Sequence, residues 1–107
     1  MPRVVYVQPN GVELAADLPS GQNLMLGALA NDVHGILGEC GGQMMCGTCH
    51  VQVDPAWIAQ LDKPSDEENE TLEAVAFGRT PASRLSCQLL ARVPLDGLRV
   101  AVAPRQV

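Results

Sequence analysis

The apolar residues near the start of the chain follow the two-residue period of a β-strand. Residues 4–7 are Val-Val-Tyr-Val, and residues 12–15 (Val-Glu-Leu-Ala) alternate in the same manner. β-branched and aromatic side chains favour strands. The intervening Pro9-Asn10-Gly11 is a strong turn signal. The pattern therefore predicts an N-terminal β-hairpin.

A helical period replaces the strand pattern after the hairpin. Asn23 is placed to cap the N-terminus of a helix, and Gly35 to end it in a left-handed conformation. Between them, four apolar residues lie at the spacing i, i+3, i+4 and i+7: Leu26, Leu29, Ala30 and Val33. This spacing predicts that these residues form the buried face of the helix.

Two further helices are predicted in the middle of the chain. Asp54 followed by Pro55 is typical of a helix N-terminus, with aspartate as the cap and proline in the first turn. Ser65 with Glu68 three residues later is a capping box. It predicts a second helix that continues to Phe77.

Three strands complete the predicted fold, at residues 50–53, 85–90 and 98–102. The order is then β-β-α-loop-β-α-α-β-β, with strands at both ends and helices between them. This order predicts an α+β fold in which a helix packs on a mixed sheet. A length of 107 residues is typical of one domain, so we expect residues 1–107 to form a single domain.

The charge balance argues against nucleic acid and anionic membranes as partners. The chain has 12 acidic and 7 basic residues, a formal net charge of −5, and only 3% aromatic residues. Nucleic-acid binding needs a basic surface and aromatic stacking positions, and an anionic bilayer would repel this chain. Half of the acidic residues lie within residues 62–73: Asp62, Asp66, Glu67, Glu68, Glu70 and Glu73.

We expect neither a membrane span nor a secretory signal in this sequence. The longest apolar run without charge, residues 24–30, is far shorter than the ~20 residues of a spanning helix. Met1-Pro2-Arg3 leads directly into a β-branched strand pattern rather than a signal core. We therefore expect a cytoplasmic protein, in which cysteines bind metals more often than they form disulfides.

The four cysteines, Cys40, Cys46, Cys49 and Cys87, have the unusual spacing Cys-x5-Cys-x2-Cys-x37-Cys. Three of them lie in residues 38–49, a segment with four glycines and no hydrophobic period. A cluster with two iron atoms needs four thiolates and a loop that wraps it. Glycines let backbone N–H groups approach the anionic sulfurs of such a cluster, so the pattern suits it.

Four other roles fit the cysteines less well. A structural zinc site also uses four cysteines, but usually in two close pairs. Cys46-Gly47-Thr48-Cys49-His50 matches the haem-attachment motif, which would leave Cys40 and Cys87 unused. A thioredoxin-like pair would follow a strand and begin a helix, whereas this pair precedes a predicted strand. Four buried thiols acting as small hydrophobes would not explain the neighbouring glycines.

Four segments carry a family resemblance: Glu39-Cys40-Gly41-Gly42, Cys46-Gly47-Thr48-Cys49-His50-Val51, Arg84-Leu85-Ser86-Cys87-Gln88 and Asp66-Glu67-Glu68-Asn69-Glu70-Thr71-Leu72. Five residues separate the first two cysteines, whereas plant-type ferredoxins have about four. On these segments, the chain resembles the adrenodoxin-type 2Fe–2S ferredoxins over its whole length. Among them it is most similar to the putidaredoxin-like bacterial subgroup.

The resemblance implies a β-grasp (ubiquitin-like) ferredoxin fold with a cluster-binding loop at the surface. It implies a 2Fe–2S cluster as cofactor, with four ligands: Cys40, Cys46, Cys49 and Cys87. The cluster loop would include seven further residues: Gly41, Gly42, Gln43, Met44, Met45, Gly47 and Thr48. His50 is implied to be structural, with its ring linking the cluster loop to the acidic helix.

The resemblance also implies a function, that of a one-electron carrier rather than an enzyme. Such proteins take electrons from an FAD-containing, NAD(P)H-dependent ferredoxin reductase and pass them to a cytochrome P-450 monooxygenase. Carboxylates near the cluster would dock these partners: Glu39, Asp66, Glu67, Glu68, Glu70 and Glu73. We expect the carrier to be a monomer.

Two features depart from the family pattern, and two other functions are alternatives. Met44 and Met45 occupy positions where relatives often have small residues, and they fit either loop packing or a partner-contacting patch. The last residues, Arg105-Gln106-Val107, lack the terminal aromatic of some relatives, so the resemblance assigns them no role. A ferredoxin for iron–sulfur cluster assembly would share the same spacing. A zinc-binding interaction module is an alternative from another class.

Overall fold

A five-stranded sheet and three α-helices form the described part of the chain in this computed structural model. The structure describes residues 2–33, 35–36, 49–73, 75, 78–103 and 106. The strands are β1 (Arg3–Val7), β2 (Glu13–Asp17), β3 (His50–Val53), β4 (Ser83–Leu85) and β5 (Leu98–Val102). The helices are α1 (Leu24–Ala30), α2 (Pro55–Ile58) and α3 (Asp66–Glu73), and Ser86–Gln88 and Val93–Leu95 form 3-10 turns.

The sheet is mixed, with the strand order β2-β1-β5-β3-β4. β1 and β2 form the predicted antiparallel hairpin, and β5 lies parallel to β1. β3 lies antiparallel to both β5 and β4. The sequence therefore predicted the α+β class, the mixed sheet and the order of the elements correctly.

The buried core is mainly aliphatic and includes Tyr6. The Tyr6 side chain is fully buried, and its hydroxyl donates a hydrogen bond to the carbonyl of Leu24 at 2.8 Å. Burial raises the pKa of Tyr6 above its ordinary value, because the phenolate would lie in apolar surroundings. The hydroxyl thus stays protonated and joins the hairpin to the first turn of α1.

The buried face of α1 differs from the predicted one. Its buried residues are Leu24, Met25, Gly27 and Ala28, whereas Leu26 and Leu29 are 47% and 42% exposed. Of the four residues predicted to be buried, only Val33 is, and it lies after the end of the helix. The reason is a close approach at Gly27, where an added Cβ would lie 2.6 Å from Leu18 Cδ1 and 2.9 Å from Tyr6 Oη. A glycine therefore faces the sheet, and the larger leucines lie on the other side.

The N-caps of α1 and α2 agree with the sequence prediction, whereas the C-terminal end of α1 does not. Asn23 Oδ1 accepts from Leu26 N at 2.8 Å, and Asp54 Oδ1 accepts from Ala56 N at 3.0 Å, so both N-caps are confirmed. However, α1 ends at Ala30, before the predicted stop at Gly35.

Two predicted elements in the second half are shorter than expected. α3 ends at Glu73 and Val75 lies outside it, whereas the prediction continued to Phe77, which with residues 74 and 76 is outside the described residues. The predicted strand 85–90 keeps only Leu85 in β4, since the chain turns away at Ser86. The strands at residues 50–53 and 98–102 are confirmed at both ends.

Within the described residues, no helix has the length and apolar character needed to traverse a lipid bilayer.

We predict that Gly27→Ala destabilises the fold by about 1–3 kcal/mol, because the new methyl group must displace the buried Leu18 side chain or the hydrogen-bonded Tyr6 hydroxyl. Gly78→Ala is the matched control, since an added Cβ there meets nothing within 4 Å. Thermal unfolding at one fixed scan rate compares the variants. A Gly27→Ala midpoint equal to that of Gly78→Ala would contradict the packing argument.

Candidate metal centre

Two of the four predicted ligands, Cys49 and Cys87, lie side by side at one end of the sheet. Cys49 directly precedes β3, and Cys87 lies in the 3-10 turn that follows β4. The antiparallel pairing of β3 with β4 places His50 opposite Leu85, so the two cysteines reach the same end. Both are buried, with 2% and 6% of their surfaces exposed.

The other predicted members of this centre are outside the described residues. They are the ligands Cys40 and Cys46, the loop residues Gly41, Gly42, Gln43, Met44, Met45, Gly47 and Thr48, and the docking residue Glu39.

Ser86 holds the main chains of the two cysteine segments together. Its backbone N–H and its hydroxyl both donate to the carbonyl of Cys49, at 3.0 and 2.9 Å. Ser86 is fully buried and directly precedes Cys87, so these two bonds fix one cysteine relative to the other. The amide of Gln88 donates to Cys87 Sγ at 3.4 Å, which gives this sulfur a polar neighbour.

The chemistry of the two sulfurs fits a metal site. No disulfide joins Cys49 and Cys87. The pKa of Cys49 is raised above its ordinary value. The larger cause is a hydrogen bond with the Cys87 thiol, and the second is burial of the Cys49 sulfur. Two adjacent buried thiolates repel one another and lack solvent, so they need a cation to compensate their charge. These residues can therefore supply two of the sulfur ligands of a metal centre.

His50 is fully buried beside Cys49, and its ring reaches β4. Its Nε2 lies 2.7 Å from the hydroxyl of Ser83, which also accepts from Thr80 N at 2.8 Å. Burial lowers the pKa of His50 below its ordinary value, so the ring is neutral. Its Nδ1 is buried without a hydrogen-bond partner among the described residues.

The link predicted for His50 is therefore corrected at one end. Its ring is hydrogen-bonded to Ser83 on β4 rather than to the described part of α3. The reason is the sheet register, which places β4 next to β3. The loop end of the predicted link is outside the described residues.

Glu68 was wrongly predicted as a docking residue, because its side chain is only 2% exposed. Its carboxylate accepts three hydrogen bonds, from Arg84 Nε at 2.8 Å, Arg84 Nη2 at 3.1 Å and Leu85 N at 2.9 Å. Arg84 Nη1 also donates to the carbonyl of Asp62 at 2.7 Å. Glu68 thus fastens α3 to β4, two residues before Cys87. The predicted capping box is half formed, since Ser65 Oγ accepts from Glu68 N at 3.2 Å.

The remaining carboxylates of this region lie on the surface: Asp62, Asp66, Glu67, Glu70 and Glu73. Glu73 pairs with Arg79 at 3.3 Å, and Arg79 also binds the carbonyl of Asn69. Glu70 takes part in none of the ion pairs found among the described residues. We define the acidic surface of α3 as Asp66, Glu67 and Glu70. Among the described residues, it is the part of the helix whose negative charge is least compensated by ion pairs.

Three residues of this centre had no role in the sequence interpretation: Arg84, Ser86 and Gln106. The first two lie in the segment Arg84-Leu85-Ser86-Cys87-Gln88, which marked the resemblance without indicating what each residue contacts. Gln106 binds the main chain of His50, 56 positions earlier. No local pattern predicts such a contact.

Comparison with known proteins supports the same kind of site. The model of the 2Fe-2S iron-sulfur cluster binding domain matches residues 7–92. Rhodocoxin from Rhodococcus erythropolis is 44% identical over 107 residues, which cover 100% of both chains. The crystal structure of a ferredoxin from Rhodopseudomonas palustris HaA2 is similar, with a TM-score of 0.95 and 38% identity over 99% of this chain and 100% of that chain.

One chain of a solved complex is also similar to this chain. The complex is the covalent putidaredoxin reductase–putidaredoxin complex, with a TM-score of 0.93 and 39% identity over 96% of this chain and 99% of the matched chain. Together with the ferredoxin structure, this similarity confirms the predicted fold.

We predict that Glu68→Gln lowers stability by about 3 kcal/mol, because it leaves the largely buried Arg84 guanidinium without its charged partner. Glu67→Gln is the matched control: the same chemical change on an exposed neighbour, expected within about 0.5 kcal/mol of the parent. Thermal unfolding measures both. Equal midpoints for the two variants would show that the Glu68–Arg84 pair does not anchor α3.

Proposed function

Because this chain belongs to the 2Fe–2S ferredoxins of the adrenodoxin and putidaredoxin type, we propose that it carries electrons from an FAD-containing, NAD(P)H-dependent reductase to a cytochrome P-450 monooxygenase. We propose further that it does so as a cytoplasmic monomer, with residues 1–107 forming one domain.

The coarser function follows from family membership alone. The protein is an electron carrier rather than an enzyme, and its cofactor is a 2Fe–2S cluster. The prediction of this cofactor is confirmed, and the alternative of a zinc-binding interaction module is wrong. When bound, the cluster accepts and gives up one electron.

The proposed ligands are Cys40, Cys46, Cys49 and Cys87. Among the described residues, Cys49 and Cys87 supply two adjacent buried sulfurs, and Ser86 fixes their spacing through the Cys49 carbonyl. Gln88 contributes a polar group next to one of these sulfurs, since its side-chain amide donates directly to Cys87 Sγ. Such donors stabilise anionic sulfur and tune the redox potential of a centre.

The observation that carries the proposed shuttle is the position of the acidic surface of α3. Asp66, Glu67 and Glu70 are exposed on a helix whose Glu68 is bonded to β4, just before Cys87. A partner attracted to these carboxylates therefore binds close to a proposed ligand. Electrostatic attraction to a basic partner surface speeds association while the interface stays small and short-lived.

The putidaredoxin reductase complex supports the first step of this proposal. A relative similar to this chain over almost its whole length forms a complex with a reductase. The exposed carboxylates of α3 provide the charge that a basic patch on such a reductase would recognise.

The direct test is reconstitution of the electron-transfer chain with the cluster-loaded protein. We expect putidaredoxin reductase with NADH or NADPH to bleach its visible absorption, and the reduced protein to support substrate oxidation by cytochrome P-450 monooxygenases from its own organism. Omitting this protein is the control. Reduction without P-450 turnover, together with rescue of a strain that lacks its assembly ferredoxin, would instead favour the role in cluster assembly.

We predict that Glu70→Gln slows reduction by the reductase at low salt by roughly threefold and leaves the visible spectrum unchanged, because it weakens steering without touching the centre. Glu13→Gln removes the same charge on β2, at the sheet edge opposite β4, and is expected to slow reduction much less. Stopped-flow rates at two salt concentrations measure both. Equal slowing by the two variants would contradict docking at α3.

A further inference from the structure

The pairing of β3 with β5 ends in an unusual way beside Cys49. The antiparallel register pairs Val53 with Val100 and Val51 with Val102, so His50 and Ala103 would form the next pair. One bond of that pair is present, from Ala103 N to the carbonyl of His50 at 3.2 Å. The N–H of His50 donates instead to Oε1 of Gln106, at 2.8 Å.

The side-chain amide of Gln106 takes the place of the strand carbonyl that would accept from His50 N–H, and it adds a second donor to the His50 carbonyl beside Ala103 N. Its Oε1 accepts from the N–H of His50, and its Nε2 donates to the carbonyl of the same residue at 2.9 Å. Gln106 is 6% exposed, so water has little access to either bond. An amide is the only neutral side-chain group that both accepts and donates with the geometry of a peptide.

Both the ring and the main chain of His50 are therefore held by hydrogen bonds. Its ring is hydrogen-bonded to Ser83 on β4, and its peptide groups are bonded to the segment that follows β5. The preceding residue, Cys49, is held at its carbonyl by Ser86. Movement of the His50 main chain would move Cys49 as well, since one peptide bond joins them.

We propose that Gln106 is a positioning residue that holds the sulfur of Cys49 in place for the cluster by fixing the main chain of His50. This inference rests on the proposed role of Cys49 as a ligand. It assigns a function to a residue near the end of the given sequence that contributes no ligand and carries no charge.

The test compares cluster-loaded Gln106→Met with the parent protein. Methionine has a similar length but neither accepts from N–H nor donates to a carbonyl with comparable strength. We expect the rate of cluster loss to an iron chelator to rise about tenfold, because two buried hydrogen bonds are lost. We also expect the visible circular dichroism of the cluster to change, because its ligand geometry relaxes.

Two controls distinguish a positioning role of Gln106 from an effect on the overall stability of the fold. Gln60→Met makes the same chemical change at an exposed site and is expected to change neither readout. Gly27→Ala, which weakens packing on α1, is expected to lower the unfolding temperature without changing the visible circular dichroism. A Gln106→Met protein that behaves like Gly27→Ala, with a parental spectrum and rate of cluster loss, would overturn the proposal.

A second variant covers the case in which Gln106→Met does not load the cluster. Gln106→Asn keeps the amide but is one methylene shorter, so it cannot span both groups of His50. We expect faster cluster loss and an altered spectrum here too, and parental values would overturn the proposal. If the parent protein has no iron chromophore, the proposed ligand role of Cys49 is contradicted. If the parent has the chromophore and both Gln106 variants keep its spectrum and its rate of cluster loss, only the role of Gln106 is contradicted.

Discussion

The antiparallel pairing of β3 with β4 is the interaction on which the candidate metal centre depends. It places His50 opposite Leu85 and thereby brings together two cysteines with 37 residues between them in the sequence. Ser86 adds two hydrogen bonds to the Cys49 carbonyl at the point where the chain leaves β4. The spacing of the two sulfurs is therefore set by the sheet rather than by the thiols themselves, so the protein can hold both close together against their mutual repulsion.

The other functional features are attached to the same two strands. Glu68 joins α3 to Arg84 and Leu85 at β4, while Gln106 joins the segment after β5 to the first residue of β3. A buried ion pair such as Glu68–Arg84 contributes little to net stability compared with apolar packing, and here it joins α3 to β4 through two hydrogen bonds. This contact holds the acidic helix beside the segment that contains Cys87, a proposed ligand. The acidic first turn of α3 also suits the positive end of the helix dipole, so these negative charges do not weaken the helix.

The elements that depend on local chemistry were predicted well, and those that depend on distant contacts were not. The cap at Asn23 and the strand at residues 98–102 follow from neighbouring residues, and both were correct. The buried face of α1 was wrong because a close contact at Gly27 outweighs the spacing of the leucines. Glu68 was predicted as a surface carboxylate because it lies within an acidic run. It is buried because it contacts Arg84, 16 positions later, and no local pattern indicates that contact. The cysteine spacing, in contrast, indicated the cofactor directly, because a two-iron cluster constrains where its ligands can lie.

The central claim is that four cysteine thiolates of this chain hold a two-iron cluster at the end of β3 and β4. Iron and acid-labile sulfide analysis of the purified protein, combined with electron paramagnetic resonance after reduction, tests it most directly. The account predicts about two iron atoms and two sulfides per chain and a signal from a reduced 2Fe–2S cluster, all of which are lost in Cys87→Ser. A colourless protein that contains zinc, or a Cys87→Ser variant with unchanged iron and sulfide content, would contradict it.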